Sequence, residues 1–247
     1  MRVAPILTAL ACLGILGIGP LAGQSLRERP NQGFLDDDAV YSLADVNARC
    51  LTPLVVNTVA EVREPECRVV EVRELEGHVD DRWFSALYRR SALVDWTEPA
   101  DSVEWDEVVL LRARAEDASM VPVWHIRTER IIEVLQDVKA QARTEGLLIE
   151  VLICLNGTGG CSREYLLDSR SELRYVDKVF ADELKAMLTG GQHLHGGMRL
   201  DLQTLRGMWP VAVPGDGNCC PSLMFDYAVR LDGVRLMLVE ATLRPVR

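Results

Sequence analysis

The sequence has no concentration of positive charge. Its 247 residues include 27 lysines and arginines against 37 aspartates and glutamates, a formal charge of −10, and only 6% are aromatic. Nucleic acids and anionic membrane surfaces attract basic surfaces, and here no basic stripe with interleaved aromatic residues offsets the acidic balance. The composition therefore argues against a nucleic-acid partner.

Catalytic fingerprints are also missing. The chain has no G-x-S-x-G elbow, no dinucleotide-binding pattern and no phosphate-binding loop, because its glycine-rich segment Leu155–Gly160 is not followed by G-K-[S/T]. Carboxylates are plentiful, but an acidic surface brings many of them together by chance. We expect no cofactor and favour a non-catalytic protein over an enzyme, with an envelope protein or a small molecule as the partner.

Long apolar runs are confined to the N-terminus. Arg2, the apolar run Ile6–Ile18 and the small residues before Gln24 predict a signal peptide over residues 1–23. A membrane anchor and a lipoprotein site at Cys12 are the alternatives, but the apolar run is shorter than the roughly 20 residues of a spanning helix. The polar residues 24–38 then form a flexible leader, and we expect a secreted or periplasmic protein without a membrane span after cleavage.

Six cysteines remain after that cleavage, an even number that indicates disulfide bonds in an exported protein. Cys50 and Cys67 flank a predicted strand–turn–strand, which makes a bond between them geometrically reasonable. Cys154 and Cys161 stand at the two shoulders of a hairpin. The adjacent Cys219 and Cys220 can bond to each other through a strained ring or each take a different partner.

The pattern of apolar residues predicts an α+β fold that is mainly antiparallel sheet, stapled by disulfides. One long helix is expected over Thr128–Arg143, since its apolar residues recur at i, i+4, i+7 and i+11 and Gly146 can end it. A short helix is expected over Asp182–Leu188. We expect two halves, 39–126 and 127–247, with the long helix near their boundary.

Strand patterns fill most of the remaining chain, and the last third predicts a hairpin with its turn at Asp232-Gly233. The segment Leu147–Cys154 (LLIEVLIC) is predicted to be a core strand. The other predicted strands are Leu51–Val59, Cys67–Val72, Trp105–Arg112, Val121–Ile126, Leu173–Phe180 and Met198–Leu202.

His193 and His195 have the only conspicuous metal-like spacing. In an extended segment both imidazoles point the same way and can reach one ion, with Asp201 or Asp216 as a third ligand. The flanking glycines favour the simpler interpretation of an exposed loop with solvated histidines. His125, beside Trp124, is expected to be a satisfied core or boundary histidine.

The segment Asp216 to Ser222 reads D-x-x-CCPS and leads into the final hairpin. In this respect the C-terminal half resembles small exported bacterial proteins that include the LppP/LprE-type lipoproteins. The resemblance implies an envelope or secreted location and brings no activity with it. This chain lacks a convincing lipobox cysteine, which leaves lipid anchoring open. The expected function is that of a non-catalytic periplasmic or secreted binding or structural module, with a metal-dependent hydrolase using His193 and His195 as the alternative.

Overall fold

The computed structural model describes ten segments of the chain. These are residues 32–35, 39–51, 62–75, 82–94, 101–114, 116–129, 137–154, 161–169, 172–217 and 220–246. They contain fourteen strands and two helices.

Three sheets account for all of these strands. The first sheet has the order β1-β5-β4-β3-β2, the central sheet runs β6-β7-β8-β9, and the last sheet runs β10-β12-β13-β14 with β11 also paired to β12. All the strand pairs are antiparallel. The strands of the first sheet are β1 (Gln32–Phe34), β2 (Val62–Leu75), β3 (Trp83–Val94), β4 (Asp101–Ala113) and β5 (Met120–Glu129).

The later strands and the two helices are shorter on average. The central sheet comprises β6 (Asp137–Ala142), β7 (Leu147–Cys154), β8 (Cys161–Asp168) and β9 (Leu173–Tyr175). The last sheet comprises β10 (His193–Leu194), β11 (Arg199–Asp201), β12 (Arg206–Ala212), β13 (Leu223–Asp232) and β14 (Arg235–Pro245). Helix α1 covers Leu43–Ala48 and helix α2 covers Val179–Ala186.

The predicted α+β class with one long helix is wrong, because the described chain is mostly antiparallel strand and only one helix reaches seven residues. Within the predicted helix, residues 128–129 end β5 and residues 137–142 form β6. Val138, Ala140 and Ala142 also alternate with period two, so the segment fits a strand as well as a helix face. Pairing with β7 decides between the two, which is a case of tertiary contacts overriding a local pattern.

The central sheet lies between the other two sheets. Leu147, Ile149 and Val151 of β7 pack against the first sheet in one core cluster, which also holds Trp83 and Trp124. The next side chain along, Leu148, points the other way into a second cluster with α2 and the last sheet. A strand buried on both faces requires a nearly continuous apolar run, and LLIEVLIC supplies one that only Glu150 interrupts.

Polar side chains tie the layers together at the edges of these cores. The Trp83 indole N–H donates to Asp168 across the first and central sheets at 3.1 Å. Arg143 donates to the carbonyls of Leu202 and Gln203, which joins the central sheet to the last one.

The far face of the first sheet is covered by α1 and the segment that follows it. Ser42 and Asp45 form a reciprocal capping box that starts the helix, and Val46 and Leu51 pack on Phe84 and Val109. The predicted Cys50–Cys67 disulfide is present and ties this cover to β2, with its Cα atoms 6.3 Å apart. A bond across 17 positions stabilises the fold by about 3 kcal/mol in the chain-entropy account.

Among the remaining sequence predictions, some are confirmed and others are wrong. The predicted core strand at 147–154 and the final hairpin are confirmed, with Asp232 directly opposite Arg235, so that the turn residues are Gly233 and Val234. The short helix begins three residues earlier than predicted, and α1 was missed. The predicted strand Leu51–Val59 lies almost wholly outside the described residues, and the two-half division stays a prediction.

Gly146 does not end a helix but closes the β6–β7 hairpin. Its N–H and C=O exchange hydrogen bonds with those of Arg143, at 3.2 and 2.7 Å. Its φ is +146°, and a Cβ added there would collide with the backbone carbonyl of Asp168 on β8. Only glycine satisfies both conditions.

We expect Gly146→Ala to lower the free energy of unfolding by about 2–5 kcal/mol, since backbone strain and overpacking add. Gly190→Ala is the matched control: its φ is +62° but no atom lies within 4 Å of the added carbon, so about 1–2 kcal/mol is expected. Urea unfolding of both variants measures the difference. Equal losses would contradict the close packing of the hairpin on β8.

Candidate functional site

The two predicted metal-site histidines lie beside each other. His193 pairs with Ala212 in β10, and the His195 N–H donates to the Pro210 carbonyl at 2.8 Å. Their ring centroids are 6.2 Å apart in an edge-to-face arrangement. Across the described residues, however, no group of three or more His, Cys, Asp or Glu side chains could hold a metal ion.

The two carboxylates considered as a third ligand are engaged in turns. Asp201 accepts from the Thr204 N–H at 2.7 Å and from its hydroxyl at 2.9 Å, and these bonds lower the pKa of the carboxyl. Asp216 accepts from the hydroxyl and N–H of Ser222 and from the Val213 N–H. The metal-dependent hydrolase stays a hypothesis without a third ligand among the described side chains.

The bonds of Asp216 explain part of the D-x-x-CCPS pattern. The Asp216 carboxylate, at the first position of the pattern, accepts hydrogen bonds from Ser222 at the last position. The bond from the Ser222 hydroxyl is the main cause of the lowered pKa of Asp216. Between them the Cys220 N–H donates to the Gly217 carbonyl at 3.0 Å. The segment is thus a closed turn at the base of β13.

The cysteines of the second half are placed only in part. Cys220 is disulfide-bonded. Cys219 lies outside the described residues, so a vicinal bond and separate partners both stay predictions. Cys154 and Cys161 stand directly opposite each other in the β7–β8 register. This is the shoulder arrangement predicted from the sequence, although their side chains are outside the described part.

A buried charge network in the first sheet escaped the sequence analysis. Arg90 donates to Glu107 at 2.8 Å, and Glu107 contacts the His125 ring at 3.1 Å. On the other face of the same strands, Arg89 donates to Asp106 at 3.0 Å. The two arginines are consecutive in β3, and the two acidic residues are consecutive in β4, so each strand places one charge on each face of the sheet. Two such oppositely charged pairs in neighbouring strands are the sequence signal that could have predicted the network.

A cleft of about 950 Å³ lies where the three sheets meet. We call it the junction cleft. Its walls come from β2, β6 and β11–β14, so its residues are scattered over 170 positions of sequence and no motif announced it. Its lining includes Arg73, Lys139, Arg199, Met208, Tyr227 and Glu240.

The junction cleft has a rigid floor. Tyr227 stands opposite Gly207 in the β12–β13 register, and its ring fills the space that a side chain at 207 would need. The Tyr227 hydroxyl donates to the Arg199 carbonyl at 3.0 Å. Burial raises the pKa of Tyr227, so the phenol stays protonated and keeps this bond.

Behind the floor lies a buried carboxyl. Glu150 of β7 accepts a hydrogen bond from the Tyr165 hydroxyl at 2.8 Å and lies 3.5 Å from Arg163. Burial raises the pKa of Glu150, although the tyrosine bond and the arginine act against it. Arg163 also donates to the Met198 carbonyl, which ties this group to the segment before β11.

Most charges around the junction cleft neutralise each other. Glu240 pairs with Arg206 at 2.8 Å, Asp226 binds Arg244 through two bonds, and Glu74 binds Arg82 at 2.7 and 2.9 Å. Asp137 is shared by Arg73 at 3.2 Å and Lys139 at 3.4 Å. Among the described residues the Arg199 guanidinium makes neither an ion pair nor a side-chain hydrogen bond.

In the part of the chain that the structure describes, no helix is long and apolar enough to cross a bilayer. No protein-family model, no curated protein and no solved structure matches this chain.

Proposed function

We propose that this chain is an exported bacterial binding protein that holds a ligand in the junction cleft without transforming it. The observation that carries the proposal is the cleft itself, which combines partly apolar walls, a tyrosine floor fixed by a hydrogen bond, and the Arg199 guanidinium, which has no ion pair among the described residues. Its volume of about 950 Å³ is in the range of small-ligand sites. Unpaired Arg199 supplies the charge that selects an anionic group on the ligand.

Binding is favoured over catalysis by the acids that line the cleft. Ion pairing with Arg82 lowers the pKa of Glu74, and the Thr204 bonds lower the pKa of Asp201. A general acid working near neutral pH needs the opposite shift. The raised pKa of Tyr227 likewise keeps its hydroxyl as a hydrogen-bond donor rather than a base.

Export is supported by the Cys50–Cys67 disulfide, since such bonds persist in oxidising compartments and are rare in the cytosol. It is also supported by the sequence features of residues 1–23, which lie outside the described residues, and by the resemblance to LppP/LprE-type lipoproteins. The secreted or periplasmic location and the signal peptide belong to this proposal.

Mass spectrometry of the protein made by bacteria from the full 247-residue chain tests the export part. Thiol alkylation without reductant comes first, followed by non-reducing digestion. We expect an N-terminus at Gln24 and a linked Cys50–Cys67 peptide. A retained Met1 together with alkylated Cys50 and Cys67 would contradict export.

Binding in the cleft can be followed through methionine methyl groups by NMR. Met208 lines the junction cleft, whereas Met187 is 48% exposed and follows α2 outside it, which makes it the matched reference. In titrations with N-acetylated amino acids we expect N-acetylaspartate to shift the Met208 signal and leave Met187 unchanged. Arg199→Glu should weaken that response by about tenfold, as the loss of a charged hydrogen bond implies.

A panel of acidic, basic and neutral N-acetylated amino acids, short capped peptides and sugars gives the opposing outcome. If none shifts Met208 selectively, the junction cleft is not a binding site and the proposal fails.

A further inference from the structure

One wall of the junction cleft is the edge strand of the central sheet. β6 is paired to β7 on one side, and no described strand pairs with its other side. Arg143 and Gly146 exchange both backbone hydrogen bonds, which fixes the alternation along the strand. Gln141, Lys139 and Asp137 therefore direct their backbone groups to β7.

It follows that the N–H and C=O groups of Val138, Ala140 and Ala142 point away from β7, toward the open edge. An independent contact agrees with this: the Val138 carbonyl accepts a hydrogen bond from the Arg73 guanidinium of β2 at 2.5 Å. Arg73 thus closes the edge at Val138. Neither backbone group of Ala140 has a partner among the described residues, although its side chain is partly buried in a core cluster.

An open strand edge inside a cleft is the complement of an extended backbone. The outward N–H and C=O of one residue, repeated at every second position, match the hydrogen-bonding groups of one neighbouring strand. A compact sugar or nucleotide does not present groups with that repeat. The edge is therefore better suited to a peptide than to a rounded small molecule.

Charge then indicates what the peptide carries. Arg73 and Lys139 share the carboxylate of Asp137, and Arg199 has no ion pair among the described residues. Asp201 also lines the cleft, so these three cations against two carboxylates leave a local charge of +1 in a chain whose formal charge is −10. An acidic side chain of the peptide would neutralise part of this excess at Arg199.

We propose that the ligand of the junction cleft is an extended acidic peptide, which adds to the β6 edge as a further strand of the central sheet. Its backbone bonds to Ala140 and Ala142, and a carboxylate on it pairs with Arg199. The inference rests on the proposed binding function and goes beyond it by naming the ligand class.

Residue-resolved amide exchange of the full chain tests this directly. The probe is the capped heptapeptide acetyl-Thr-Val-Thr-Asp-Thr-Val-Thr-amide, and its counterpart has Lys in place of Asp. We expect the acidic peptide to slow exchange at Ala140 and Ala142 by about tenfold or more. Exchange at Lys139 and Gln141 should hardly change, because those amides already bond to β7.

Two variants separate the backbone bond from the charge. Ala140→Pro removes an outward N–H and keeps the bonds to β7, a position where an edge strand tolerates proline; Ala140→Ser is its control. Arg199→Glu should reverse the preference from the Asp peptide to the Lys peptide. Its control is Arg235→Glu, at the exposed start of β14 and outside the cleft.

The results divide cleanly. Protection of the Ala140 and Ala142 amides supports the proposal if it is lost in Ala140→Pro, or if Arg199→Glu reverses the preference from the Asp peptide to the Lys peptide. If the proline variant does not fold, the exchange data on the unaltered chain decide. Peptide binding without protection of these two amides overturns it. If N-acetylaspartate shifts Met208 but neither peptide binds, the peptide inference fails while the binding function stands; if neither probe binds, both fail.

Discussion

The whole arrangement depends on burying β7 on both faces. Leu147, Ile149 and Val151 need one apolar layer and Leu148 needs another, so the central sheet has to be enclosed by two sheets. Burial of one large aliphatic side chain is worth about 1.5–3 kcal/mol, and this strand carries several of them. The one charged side chain in β7, Glu150, is accommodated by the Tyr165 hydroxyl and Arg163 rather than by water.

Enclosure of the central sheet also creates the junction cleft. The open edge of β6 faces β2 and β11 across the cleft and pairs with no described strand. Arginines bridge the ends of this gap, Arg73 to the Val138 carbonyl and Arg143 to the Leu202 carbonyl. The described residues thus leave a groove with a strand edge along one wall, and the proposed binding function uses that groove.

The sequence predicted features that depend on neighbours along the chain. The final hairpin, the opposition of Cys154 and Cys161 and the core strand at 147–154 rest on turn residues and short apolar runs, and the structure shows all three. The positions of Cys50 and Cys67 on either side of a predicted strand–turn–strand made their bond reasonable without deciding it, and residues 62–66 between them belong to β2.

What the sequence could not predict depends on distant partners. Residues 137–142 fit a helix face and a strand equally well, and only β7 decides for the strand. The junction cleft draws on six strands, and the outward direction of the Ala140 backbone follows from register rather than from residue type. The metal hypothesis rested on the spacing of His193 and His195, whereas a site also needs a third ligand brought by the fold.

Native-state hydrogen exchange of β7 measured against that of β14 tests the central claim, the enclosure of the central sheet. The account predicts that the amides of Leu148, Ile149, Glu150 and Val151 exchange only through global unfolding, with a free energy equal to that from urea denaturation. The amides of Thr242 and Arg244, which the register directs to β13 from the edge strand β14, should exchange much faster through local opening. Exchange of the β7 amides as fast as those of β14 would contradict the enclosure.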